Sequence, residues 1–375
     1  MPYTEFSNRS PEASSLRVAV DQAATRVQQS VLIEAHAARA AKLSPSDVHG
    51  QFAANPFSRP SDLDQRAVLE FERCAMDVIP LGARMVELSP VTAFAAHSSL
   101  TGISQKTVLS TIRNTEVVAD GVVVLALLAA EERRQAAYWN GTMLGTFHRE
   151  LRTQAHEQPG FTSHFRALSL VSTESTRDST AFKAAHFARH VGIYLDILDE
   201  TTSLGYRSES VTVALSNLRI LELVIRNERL DRAAIMRHTQ TPGFSVMGRF
   251  GIPLPRSVRL DELPALTADL PSEFTYLRRA LRYLETVFEP TRNALEDRPG
   301  AAKTNIVVDL DRHAGMGYYE DACVKISASN ELGETFPLVD IGTNTWLTMI
   351  TNDRSDRLMT GGMGTELFIK KFRSR

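Results

Sequence analysis

Cysteine is scarce, with only Cys74 and Cys323 in 375 residues. Two thiols cannot build the disulfide framework of a small secreted domain, and neither has a partner at metal-ligand spacing, so no zinc site is expected. Both fit a reducing cytoplasm, the expected compartment. Long apolar runs are missing too. The longest, Gly121 to Ala130, has about half of the ~20 residues a membrane helix needs and is closed by Glu131-Glu132-Arg133-Arg134. It reads as a buried helix or a strand-helix junction, and no membrane partner is expected. Charge of one sign is absent: 42 Lys and Arg stand against 44 Asp and Glu, a formal net charge of -2. That balance makes no overall electrostatic case for nucleic-acid binding, although a local basic patch stays open. Met1 to Ser15 is polar, is interrupted by Pro2 and Pro11, lacks a signal-peptide layout, and is expected to fray. Neither an internal repeat nor a low-complexity segment is visible.

What the chain does have is 43% apolar residues, enough for a large core in one big domain or two ordinary ones. Leu16 to about Lys42 is alanine-rich and amphipathic, predicting a helix broken by Ser44-Pro45-Ser46. Ser61, three residues before Asp64, is placed to cap a second helix whose apolar positions Val68, Phe71, Ala75, Val78 and Ile79 precede Pro80. Arg84 to Pro90 alternates like a half-buried strand ended by proline. Two strand-like stretches flank a polar loop between Thr142 and Thr173, and a helix, strand, helix pattern runs from Phe187 to Ile225. A mostly helical segment follows, with an apolar stripe at Leu277, Ala280, Leu281 and Leu284, and then the buried strand Asn305 to Leu310.

The second half is punctuated by glycine. Gly315-Met316-Gly317-Tyr318-Tyr319 leads into an apolar strand containing Val324-Lys325-Ile326, and Gly361-Gly362-Met363-Gly364 leads into a terminal helix from Thr365. Glycine permits close backbone approach or positive φ, and a helix start favours anions. Taken alone, these are also two tight turns in a packed sheet.

In order and spacing the pieces resemble the catalytic core of histidyl-tRNA synthetase and its paralogues, of the class II aminoacyl-tRNA synthetases. Gly315 to Tyr319 is similar to the family's Arg-Gly-Leu-x-Tyr-Tyr, Asp340-Ile341-Gly342-Thr343-Asn344 to its Gly-Gly-Arg-Tyr-Asp turn, and Gly362-Met363-Gly364-Thr365-Glu366-Leu367 to motif 3. The resemblance implies an α+β fold, an antiparallel sheet flanked by helices with a helical insertion. Its layout would be an N-terminal tail and helical segment over 1–60, a core over 61–226 and 299–375, and the insertion over 227–298. Pro90 and the helix before it resemble motif 1, which makes the family's dimer interface and so implies a homodimer.

The resemblance also assigns residues. Arg149, Arg152 and Gln154 stand at motif 2 spacing in Phe147 to Gln154, with the family's glutamate falling at Leu151 and Glu150 one position early. Arg149 is the expected catalytic residue, because a guanidinium would neutralise an acid attacking the α-phosphate of ATP. Arg149, Arg152 and Glu366 would hold ATP with magnesium. Glu116 and Asp120 are the candidates for a substrate ammonium group, with Gln154, Tyr318 and Tyr319 beside the substrate, and Phe165 matches the closing aromatic if the loop is longer here. Ala314, Thr343 and Leu367 stand where the family carries arginines, and Arg312, Arg354 and Arg357 lie on neighbouring turns. With only eight residues after Leu367, no anticodon-binding domain is expected to follow motif 3 in this sequence. Two functions follow: an ATP-dependent ligase that forms the acyl-adenylate of a small carboxylate or amino acid for a non-tRNA acceptor, or a silent amino-acid-binding paralogue. The latter would work with a partner enzyme, like the regulatory subunit of ATP phosphoribosyltransferase. The sequence leans to the ligase, and neither reading expects nucleic acid.

Overall fold

Alternating apolar residues in the second half of the chain assemble most of one large sheet, and period-2 alternation gives that sheet two different faces. A computed structural model describes residues 25–137, 139–153, 162–238, 243–298 and 303–374. The strands are β1 (Arg84–Met85), β2 (Val91–Ala93), β3 (Thr115–Val117), β4 (Met143–Leu151), β5 (His164–Ser175), β6 (Ser210–Asn217), β7 (Ser257–Arg259), β8 (Thr304–Asp309), β9 (Ala322–Ser329), β10 (Thr335–Asn344) and β11 (Asp356–Met363). Nine of them form the sheet in the order β1-β4-β5-β11-β10-β9-β6-β8-β7, while β2 and β3 pair separately. The run from β4 to β6 is antiparallel throughout, and only β1 on β4 and β8 on β6 pair in parallel.

The helices are α1 (Thr25–Ala40), α2 (Pro45–Ala54), α3 (Gln65–Val78), α4 (Ala96–Thr101), α5 (Gly121–Gln135), α6 (Ser179–Glu200), α7 (Leu218–Asn227), α8 (Arg232–His238), α9 (Val246–Arg249), α10 (Leu263–Ala268), α11 (Arg278–Glu296), α12 (Trp346–Thr351) and α13 (Thr365–Phe372). Phe71 of α3, Phe187 and Tyr194 of α6, Leu284 and Phe288 of α11 and Phe368 of α13 pack with Leu168, Leu170, Ile341 and Val324 on one sheet face. Each such side chain, once fully buried, contributes roughly 1.5–3 kcal/mol. On the other face α5 and α12 bring Val123, Leu125, Ala126 and Trp346 against Leu144, Val171 and Leu358. These two helices cover that face only in part, and the uncovered part is the floor of a cavity. Among the described residues no helix is long and apolar enough to cross a membrane.

Several local expectations change. Asp64, not Ser61, caps α3, accepting from the Arg66 N–H at 2.9 Å. Ser61 instead donates to Glu366 at 2.6 Å. The strand expected over Arg84 to Pro90 is only two residues long, because the chain leaves β4 after Met85 and Val91 starts the β2–β3 pair. The run at Gly121 is a helix, started by the Asp120 cap. The apolar stripe of residues 227–298 lies in α11 and is core: Ala280, Leu281 and Leu284 are all buried, and α11 packs along α6. Among the described residues of 227–298, Arg232 is the one that reaches the cavity.

Candidate ligand cavity

The cavity is about 760 Å³ and lies over β4, β5, β11, β10 and β9, beneath the start of α5 and the Tyr318–Tyr319 turn. Across its floor one register row runs Thr146, Ser169, Gly362, Asp340 and Lys325. Gly121 lets α5 approach this floor, since a Cβ there would meet the Ser169 hydroxyl at 2.8 Å.

At the β4 end, Asp120 is both helix cap and cavity wall. Its Oδ1 accepts from the Val122 N–H at 3.3 Å and its Oδ2 accepts from the Tyr318 hydroxyl at 2.8 Å. Tyr318 is held edge-on by Trp346, 5.0 Å between ring centres, and by Tyr319 at 4.8 Å. Burial first, and then the neighbouring Asp120, keep the Tyr318 phenol well above its ordinary range, so it stays a donor. The buried Glu150 accepts from the Gly121 N–H at 2.8 Å and from Arg152 Nη2 at 3.2 Å. Burial and the charge of Asp120 push its carboxyl up to about 7, against the opposing pull of Arg152. Arg152 also donates to the Ala119 carbonyl at 2.9 Å and lies 5.1 Å over the Phe165 ring.

At the β10 and β9 end, Gly315 and Gly317 take positive φ of 95° and 84°, which turns Tyr318 and Tyr319 back over the sheet. Tyr319 packs flat against Gly342, where any side chain would collide with its ring. Arg312 bonds Asp340 at 2.5 Å and the Ala314 carbonyl at 3.0 Å, with its guanidinium 5.9 Å from the Tyr319 ring.

The cavity therefore gathers Asp120, Arg152, Tyr318, Tyr319 and Glu366 from the residues expected from sequence. Two others go elsewhere. Arg149 is not among the cavity-lining residues: alternation along β4 turns it to the face opposite Glu150, where it pairs with Glu366 at 2.9 Å and donates to His164 Nδ1 at 2.9 Å. Glu116 is fully buried in β3, away from the cavity. Its carboxylate accepts the N–H groups of Ala95 and His97, each at 2.9 Å, His97 Nδ1 at 2.6 Å and Gln105 Nε2 at 2.7 Å. His97 Nε2 in turn accepts the N–H groups of Ala119 and Asp120 at 3.2 and 3.1 Å, so Glu116 supports Asp120 from behind. Gln154 lies outside the described residues.

Glu366 borders the cavity with every oxygen engaged. Besides Arg149 it accepts from Ser61, Lys370 and the Arg166 N–H, at 2.6, 3.0 and 3.1 Å. Burial pushes its carboxyl up, but these bonds outweigh it and hold the group below the usual carboxylate range. Leu367 lines the same wall with no polar atom to offer, and Arg357 points to the Thr176 carbonyl at 3.1 Å. Among the described residues no group of three or more His, Cys, Asp or Glu side chains could hold a metal ion. Arg149 and Glu366 bind each other and residue 367 is a leucine, so these three do not present the triphosphate contacts expected of them. Sequence reading passed over Lys325, Asp340, Ser169 and Arg232 as cavity residues. The available signal was a lysine in the otherwise buried strand Ala322 to Ala328, since a charge there needs a wet face.

A largely antiparallel sheet with helices on both faces, a cavity over the part of one face they leave open, and a last strand running through Gly361 and Gly362 into a terminal helix is the class II aminoacyl-tRNA synthetase-like fold. Within that class the chain has the histidyl-tRNA synthetase-like core. It is similar to a Bacillus halodurans ATP phosphoribosyltransferase regulatory subunit/histidyl-tRNA synthetase, with a TM-score of 0.61 and 15% identity over 85% of this chain and 83% of that one. A histidyl-tRNA synthetase from Nostoc gives 0.59 and 14% over 84% and 74%. A histidine–tRNA ligase subunit from Alicyclobacillus acidocaldarius gives 0.59 and 12% over 84% and 95%. No family model and no curated protein matches the chain in sequence.

Proposed function

We propose that this protein binds an amino acid in the cavity and acts through a partner enzyme, without activating its ligand with ATP. One observation carries the reading: Asp120 and the Tyr318 hydroxyl face the cavity as a pair suited to an ammonium group, while Arg149, which does not line the cavity, is held in an ion pair with Glu366 at its rim. A carboxylate beside a phenol oxygen whose own hydrogen that carboxylate holds offers an ammonium group two acceptors, whereas adenylate formation needs free cationic groups at the α- and γ-phosphates. The regulatory-subunit half of the Bacillus halodurans protein's description supports a partner enzyme. We further propose a homodimer in the cytoplasm, bound to neither nucleic acid nor membrane.

Calorimetry on the full chain tests this with a panel of amino acids, with ATP and magnesium, and with amino-acid-dependent pyrophosphate exchange as the companion assay. The expected result is binding of an amino acid, weakened about tenfold or more by Asp120→Asn, with no exchange. A second reading rests on Arg152, which lines the cavity beside Phe165 and could take the role assigned to Arg149. Exchange abolished by Arg152→Ala would establish the ligase instead.

A further inference from the structure

The charges of the cavity are not evenly satisfied. Asp120 has only the neutral Tyr318 hydroxyl and the Val122 N–H, while the other acids are paired with cations: Glu150 with Arg152, Asp340 with Arg312, and Glu366 with Arg149 and Lys370. Two of the cavity's cations are not so paired. Among the described residues neither Lys325 nor Arg232 has an acid or a hydrogen-bond acceptor, and both line the cavity. They come to the same end of it. Lys325 is two residues from Cys323 on β9 and so shares its face. Ile235, one helical turn after Arg232 in α8, packs in one apolar cluster with Cys323 and Met316. Close by, Arg312 is almost fully buried behind Asp340, and its Nη1 has no hydrogen-bond partner.

We propose that the ligand is an amino acid with an acidic side group, its ammonium on Asp120 and Tyr318 and its side-chain carboxylate between Lys325 and Arg232. This rests on the amino-acid-binding reading above and names the class of ligand. The register row sets the span: Lys325 stands three strands from Ser169, the floor residue beneath Asp120 and Gly121, about 14 Å between backbones at about 4.8 Å per strand. The flexible lysine stem and an extended acidic amino acid share that span between them. A neutral side chain would give Lys325 and Arg232 no anionic acceptor from the ligand, whereas an acidic one makes both of them charge-assisted donors.

The test is calorimetry on the full chain with glutamate and aspartate, their amides glutamine and asparagine, histidine, O-phosphoserine and inorganic phosphate. An acidic amino acid should bind about tenfold or more tighter than its amide. Lys325→Met and Arg232→Gln should each weaken the acid far more than its amide and so erase most of that ratio, and Asp120→Asn should weaken acid and amide alike. Arg232 is exposed, so its variant keeps the test open if Lys325→Met melts at a lower temperature. Tighter binding of O-phosphoserine than of glutamate would keep the two cations as the acidic subsite but assign them a phosphate. Acid and amide binding equally would overturn the proposal alone, as would tighter binding of histidine. Inorganic phosphate lost on Lys325→Met with amino acids unaffected would overturn it in favour of a phosphate site, and binding of no amino acid would remove the underlying reading as well.

Discussion

Replacing Glu116 by alanine should unfold the protein more readily rather than simply empty its cavity. Glu116 and His97 are both fully buried, and the carboxylate receives four donors. Truncation leaves the His97 N–H and the His97 ring N–H with no acceptor in a dry environment, at about 1–3 kcal/mol each. The Ala95 N–H and the Gln105 amide are less buried and recover part of their loss from water. The sum is about 3–5 kcal/mol, the range for breaking a buried charged network. Denaturant unfolding at neutral pH should show this drop for Glu116→Ala and a smaller one for Glu116→Gln, which keeps the shape and one acceptor. Burial pushes the Glu116 carboxyl up, but the bonds from His97, Gln105 and Ala95 outweigh it and hold it below 4.5. A depressed folded value contributes stability that is present above about 4.5 and lost as pH falls through that lower value, so the gap to Glu116→Gln should narrow on acidification. Wild-type stability combined with abolished ligand binding in Glu116→Ala would refute this and restore Glu116 as the ammonium site.

The other two predictions concern β4. Arg149→Ala removes one of four partners of Glu366 and a donor to His164, so stability should fall by about 1 kcal/mol while amino-acid affinity stays unchanged; lost binding at unchanged stability would contradict the placement of Arg149. For Glu150 the sign reverses. Its carboxyl rises from 4.5 to about 7 on folding, so its contribution is full below about 4.5 and declines as pH rises through about 7, by about 3 kcal/mol at most. Glu150→Gln should flatten that part of the pH–stability curve, and parallel curves for the two proteins would rule the account out.

The order of elements was legible because it is local. Alternation from Met143 to Ser175, helical spacing from Val68 to Ile79, and glycines at 315 and 317 ahead of two tyrosines each carry their structure in neighbouring residues. The site was less legible because strand pairing, not spacing, decides which way a side chain faces. Arg149 and Arg152 lie three residues apart, an odd interval in an extended chain, so one of them had to leave the cavity, and the pairing of β4 with β5 sent Arg149 to the helix face. Glu116 and Asp120 were equal candidates as two acids in one short stretch; packing of α4 against β3 buried the first, and the start of α5 aimed the second at Tyr318. Lys325, Asp340 and Arg232 come from three segments far apart in sequence. By itself the chain determined its helices, strands and turns, which depend on contacts a few residues long. Which charges share one cavity was decided by the nine-strand sheet, because register and face are properties of strand pairs that no single segment contains.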